Sequence, residues 1–126
     1  MNVVDSSGWL EYFADSDNAS FFAPAIEDSK ALLVPAICIY EVFKQVLLQS
    51  GLSAAQTHIG DLYTGQVIDI DASLALSAAQ LSAEQQLPMA DSLILAVART
   101  YHAVLWTQDE HFKNLPNVKY IEKRKI

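Results

Sequence analysis

Short apolar runs alternate along this chain with longer stretches in which apolar residues recur every three or four positions. The short runs Asn2–Val4, Ala31–Val34, Val67–Ile70, Ala103–Thr107 and Val118–Ile121 are predicted strands. The longer stretches predict helices over 7–14, 18–28, 36–49, 53–64, 72–86 and 89–101. In 72–86, Leu74, Ala78, Leu81 and Gln85 step by three or four, with Leu76, Ala79 and Ala83 beside them. Pro88 then stops the pattern, because proline lacks the N–H a helix interior needs. The segment 89–101 differs: Leu93, Leu95, Ala96, Val97 and Ala98 leave it almost without a polar face, as in a helix packed deep on a sheet. Gly51 stands where a helix C-terminus favours glycine, and Ser53 is placed to cap the helix that follows. Strands alternating with helices predict βαβ units, hence an α/β fold with a central parallel sheet of four or five strands.

Length and composition narrow this picture. At 126 residues the chain is expected to form a single domain over 1–126, long enough to bury about two-thirds of its unfolded surface without staples. With 52% hydrophobic and 18% charged residues it is a globular sequence, and it carries no repeat, low-complexity run or linker. The single cysteine, Cys38, lies in the apolar run Leu33–Tyr40, where it is expected to be a buried, reduced thiol. The N-terminal residues reach Asp5 without a basic stretch, and no apolar run approaches the roughly 20 residues of a membrane span. The expectation is a cytoplasmic protein without membrane attachment.

The net charge of −7 argues at first against a nucleic-acid partner. The distribution of charge weakens that objection. Four of the eight basic residues, Lys119, Lys123, Arg124 and Lys125, fall in the last eight positions. An excess of acids is weak evidence against RNA if several of them are metal ligands.

Four carboxylates stand out, and each has an ordinary explanation. Asp5 ends the first strand and could cap the helix opening at Ser6-Ser7-Gly8. Glu41 interrupts the apolar run Leu33–Phe43 and could pair with Lys44 one helical turn on. Asp91 lies in the first turn of an apolar helix, where the helix dipole favours an acid by about 0.3–1 kcal/mol. Asp109 follows the strand Val104–Thr107 and could cap a turn through Glu110-His111-Phe112. Their joint placement is harder to explain away. Two lie at strand exits and two near helix N-termini, which in an open parallel sheet share one edge. Four converging carboxylates cannot all stay ionised without a cation, and hard oxygen ligands suit Mg²⁺ or Mn²⁺.

Other chemistries are poorly supplied. His58, His102 and His111 have no zinc spacing with Cys38 and are read as surface or structural residues. Among four glycines there is no phosphate-binding loop, and no serine sits in a G-x-S-x-G elbow. A phospho-accepting receiver domain also clusters acids at strand ends, but it needs an acidic pair where Asp5 is followed by Ser6-Ser7, and a lysine after its last strand.

The ordered segments carry a resemblance. Val3-Val4-Asp5-Ser6-Ser7-Gly8-Trp9-Leu10-Glu11 resembles the opening of PIN-domain proteins, in particular toxins of VapBC toxin–antitoxin systems. Pro88-Met89-Ala90-Asp91-Ser92-Leu93 resembles that family's third acidic motif, and Leu105-Trp106-Thr107-Gln108-Asp109 its fourth. Glu41, in Ile39-Tyr40-Glu41-Val42, falls where the family has a helix-borne glutamate. The resemblance spans the whole chain. It implies a PIN-like three-layer α/β/α sandwich and a Mg²⁺- or Mn²⁺-dependent endoribonuclease that hydrolyses RNA phosphodiester bonds. Asp5, Glu41, Asp91 and Asp109 would be both the metal-binding and the catalytic residues, with Ser6 and Thr107 supporting them. A homodimer and a cognate antitoxin are the implied protein partners, and a non-toxin or non-catalytic PIN-fold module binding RNA or protein is the alternative. His111 departs from the pattern, standing where many members carry a further acid, which makes a second metal conditional.

Overall fold

The structure is a computed structural model and describes residues 1–124; Lys125, one of the terminal cations, lies outside them. Five parallel strands form one sheet: β1 (Asn2–Val4), β2 (Leu32–Pro35), β3 (Gln66–Ile68), β4 (Val104–Thr107) and β5 (Val118–Tyr120). Six helices connect them: α1 (Ser6–Phe13), α2 (Ala19–Glu27), α3 (Ala36–Ser50), α4 (Leu52–Leu62), α5 (Ala72–Gln85) and α6 (Met89–Thr100). The expected α/β class and its parallel sheet are found, and the sheet has five strands.

The strand order is β3-β2-β1-β4-β5. From β1 the chain steps outward through β2 to β3, then returns to pair β4 with the other side of β1. The order therefore reverses between β1 and β4, and a crevice opens there at the strands' carboxyl ends. Register brings Val4 opposite Trp106, so the exits of β1 and β4 lie side by side.

Alternation along the strands divides the core into two layers. Val3, Leu33 and Leu105 pack with α5 and α6 on one face. Val4, Leu32, Val34 and Trp106 face α1 to α4 on the other. Helix α6 buries seven consecutive residues, Ser92 to Ala98, which explains why its sequence has so little polar face. On the opposite layer Gly8 is required by close packing: a Cβ there would meet Phe22 Cε1 and Val4 Cγ1 at 2.7 Å. That contact seats the first turn of α1 against β1 and α2, and so fixes where Asp5 leaves the sheet.

Several boundaries differ from expectation for local reasons. Strand β2 begins one residue late because Ala31 closes a short 3-10 turn, Ser29–Ala31, with its N–H on Asp28 O. Strand β3 stops at Ile68, opposite Pro35, the last residue of its partner. Beyond it Asp71 caps α5 by accepting from Leu74 N. Gly51 does terminate α3, at φ +88°, a conformation that side-chain-bearing residues rarely adopt. It also occupies the N-cap of α4, so Ser53 lies inside that helix instead of capping it. Cys38 is buried, and its thiol lies 3.8 Å from Val4 O. Among the described residues no helix is long and apolar enough to cross a membrane.

Candidate functional site

The reversal in strand order places β1 and β4 side by side, and both deliver a carboxylate to the crevice. Asp5 follows β1 directly, with its own N–H on Trp106 O. It is only 2% exposed, yet its carboxylate is well supplied with donors. Oδ1 accepts from Gly8 N at 2.9 Å, and Oδ2 accepts from Thr107 Oγ1 at 2.6 Å. Ser7 Oγ lies 2.9 and 3.0 Å from the two oxygens. Asp5 therefore does cap α1, the ordinary role considered for it, and faces the crevice as well. The Thr107 hydroxyl also accepts from Asp109 N at 2.9 Å, so it ties the two strand exits together.

Glu41 reaches the same place from the second turn of α3. Its Oε1 accepts from Ser6 Oγ at 2.7 Å, and the ion pair with Lys44 considered from the sequence is not formed. The Lys44 ammonium instead lies 5.6 Å from the Tyr40 ring centroid. Asp91 projects from the first turn of α6. Asp5, Glu41, Asp91 and Asp109 all line one crevice of about 360 Å³, with Lys44 and Tyr40 also on its wall.

His111 is exposed, as the surface reading expects, and it also joins this cluster, at the position where the resemblance marked a departure from a further acid. Asp109 Oδ1 accepts from His111 N, closing the 3-10 turn Glu110–Phe112. The turn carries the imidazole back over the crevice, with Nδ1 2.8 Å from Asp91 Oδ2 and 3.1 Å from Asp109 Oδ1. Asp91, Asp109 and His111 each offer a ligand atom, all within 4.8 Å of one another. A second missed feature is a polar network around α1. Gln108 donates to Glu11 at 3.1 Å and accepts from Asn18 at 3.0 Å, linking residues 90 or more positions apart.

The electrostatics state what the cluster lacks. Burial pushes the Asp5 carboxyl up to about 7, helped by the Asp109 charge and opposed by hydrogen bonds from Thr107, Gly8 and Ser7. Asp91 is raised by burial and by Asp109. His111 is raised chiefly by its hydrogen bond to Asp91 and by the Asp109 charge. The hard oxygen set fits a divalent cation such as Mg²⁺ or Mn²⁺.

This arrangement has parallels. The family model described as PIN domain matches residues 3–118. A toxin–antitoxin complex from Klebsiella pneumoniae is similar over 94% of this chain and 96% of that one, with TM-score 0.79 and 22% identity. The Mycobacterium tuberculosis toxin VapC20, which cleaves the sarcin–ricin loop, gives TM-score 0.77 and 17% identity over 99% of this chain and 100% of that one. VapBC2 from Rickettsia felis, bound to a DNA fragment from its promoter, gives 0.72 and 17% over 96% and 97%. At these identities the likeness is one of fold. No curated protein sequence matches the chain. With the family model running from within β1 to the start of β5 and three of the four acids at strand exits or helix starts, the chain belongs to the PIN domain family.

Proposed function

We propose that this protein is a divalent-metal-dependent endoribonuclease and the toxin of a type II toxin–antitoxin pair. The observation that carries the reading is the convergence of Asp5, Glu41, Asp91 and Asp109 on one crevice at the point where the strand order reverses. These four would hold the ion, which when bound supplies Lewis-acid polarisation of the scissile phosphoryl group and offsets the charge that develops there.

The chain's own residues do the positioning. Thr107, Ser7 and the Gly8 N–H hold the Asp5 carboxylate in one orientation, and Ser6 does the same for Glu41. Such outer hydrogen bonds keep ligand groups in a reactive geometry. Lys44, exposed on the crevice wall and without a carboxylate partner among the described residues, is free to meet a backbone phosphate. When protonated, His111 offsets part of the charge on Asp91 and Asp109.

A cognate antitoxin, a homodimer and a cytoplasmic setting belong to the same reading. Three of the similar structures are toxin–antitoxin assemblies, from Klebsiella pneumoniae, Rickettsia felis and Salmonella typhimurium. Leu47, Leu48 and Leu52 are exposed where α3 meets α4, and Tyr40 and Tyr63 are 60% exposed on the same two segments. Apolar surface of this kind is what a protein partner covers.

The test is to sequence RNA 5′ and 3′ ends from cells after induced expression of the unaltered chain and of Asp5→Asn. New ends that appear with the unaltered chain and vanish with the variant are expected. Identical end profiles for the two proteins would favour a non-catalytic binding module.

A further inference from the structure

Beside the carboxylate crevice lies a second cleft of about 410 Å³, within the size range of small-ligand sites. Ser7, Leu10 and Gln45 line both, so the two adjoin. Its walls combine two kinds of chemistry. Phe13 and His58 stack along it, ring centroids 4.2 Å apart and planes inclined by 29°. Glu11 and Gln108 line it too, held by the network that joins α1 to the exit of β4. Gln108 Nε2 donates to Glu11 Oε1 at 3.1 Å, and Asn18 Nδ2 donates to Gln108 Oε1 at 3.0 Å. Asn18 N donates to the other Glu11 oxygen at 3.1 Å. Lys123 borders both this cleft and the depression that continues past Asp109 and His111.

We propose that this cleft is a nucleobase subsite, seating one unpaired base of the RNA strand whose scissile phosphate lies at the carboxylates. The inference rests on the ribonuclease reading and names the part of the substrate that this cleft grips. Bases stack on aromatic side chains, and the Phe13–His58 pair supplies such a surface beside the reacting centre. The network fixes which atoms of Gln108 and Glu11 are used, leaving a second amide N–H on the one and further lone pairs on the other. A carboxylate accepts from exocyclic amino groups, so the cleft selects an amino-bearing base over uracil. Lys123 at its border meets the phosphate of the same nucleotide. Unpaired bases, unlike those of a duplex, can enter it, which makes the preferred substrate a single strand or loop.

An abasic scan tests this without changing the phosphate charge. Single-stranded RNAs of about ten nucleotides, each lacking one base, are measured for affinity to the Asp5→Asn chain by fluorescence anisotropy. One position should weaken binding about ten-fold, the scale of one base–aromatic stack. That penalty should vanish with added His58→Ala and return with His58→Phe, which restores an aromatic plane. Uracil at that position should bind less tightly than cytosine. Cleavage of the intact RNA by the unaltered chain is followed in parallel. RNA that is cleaved but shows a flat scan overturns the subsite alone, and so does a penalty that His58→Ala leaves in place. RNA that is neither bound nor cleaved overturns the ribonuclease reading with it.

Discussion

The carboxylate crevice has a floor and a rim, and the two are built differently. At the floor, Asp5 is 2% exposed and fixed by Thr107, Ser7 and the first turn of α1. At the rim, Asp91 and Asp109 have side chains 16% and 29% exposed and are bridged by an imidazole that is 53% exposed. The floor is part of the fold: removing it would unpin a helix start and the junction of two strands. The rim is a loose charge balance in which a histidine holds two acids together. On the proposed metal-site reading, the floor would set where an ion sits and the rim would adjust how strongly it is held.

The largest effect is expected at the floor. Asp5→Asn keeps a capping oxygen but removes the charge, and RNA cleavage should fall by about 10³-fold or more, as when one member of a unit that acts together is lost. Single-turnover cleavage rates at saturating Mn²⁺ check this. Equal loss with Asp91→Asn would show floor and rim to be one site, whereas near-normal activity in either variant would separate them.

Next comes the pH dependence of the ion-free protein. Folded Asp5 titrates near 7, against 3.8 for an unperturbed carboxyl, so the folded state holds its proton more tightly than the unfolded state. Stability contributed by the protonated carboxyl is complete below about pH 4 and lost as pH rises through 7. The loss is about 4 kcal/mol for this fully buried group. Asp91 and His111, also raised, push in the same direction. Urea midpoints in EDTA should therefore fall from pH 5 to pH 8 in the unaltered chain and fall much less in Asp5→Asn. A rise over that range would contradict a buried, uncompensated floor.

A smaller effect is expected for Thr107→Val, which keeps the shape but removes the hydroxyl that bonds both Asp5 and Asp109 N. Metal affinity should weaken by about 10- to 100-fold, typical of a lost outer hydrogen bond. Titrations monitored by melting temperature check it. Smallest of all is His111→Ala. Exposed ion pairs contribute about 0–1 kcal/mol, so its melting temperature should stay close to that of the unaltered chain. A large fall in its melting temperature would place His111 in the floor's class.

The same division explains what could be read from the sequence. Asp5, Asp91 and Asp109 were visible because a strand exit and a helix start are marked by the local pattern of apolar residues. Glu41 was visible as the one charge within the apolar run Leu33–Phe43. The sheet followed from alternating short and long apolar segments, with errors of one or two residues where a 3-10 turn or a partner strand's end decided the boundary. The exposed position of His111 was legible, but its contact with Asp91 was not, because that contact spans 20 residues and depends on a turn closed by Asp109. The Glu11–Gln108–Asn18 network was invisible for the same reason: its members share no local spacing and meet only after β4 has docked beside β1.

The most direct single measurement is a calorimetric titration of Mn²⁺ into the unaltered chain and into Asp5→Asn at neutral pH. If the four carboxylates form one metal site, the unaltered chain binds the ion and Asp5→Asn weakens it by at least about 100-fold. Equal affinity in the two proteins, or no binding to the unaltered chain, would contradict a metal centre built on Asp5.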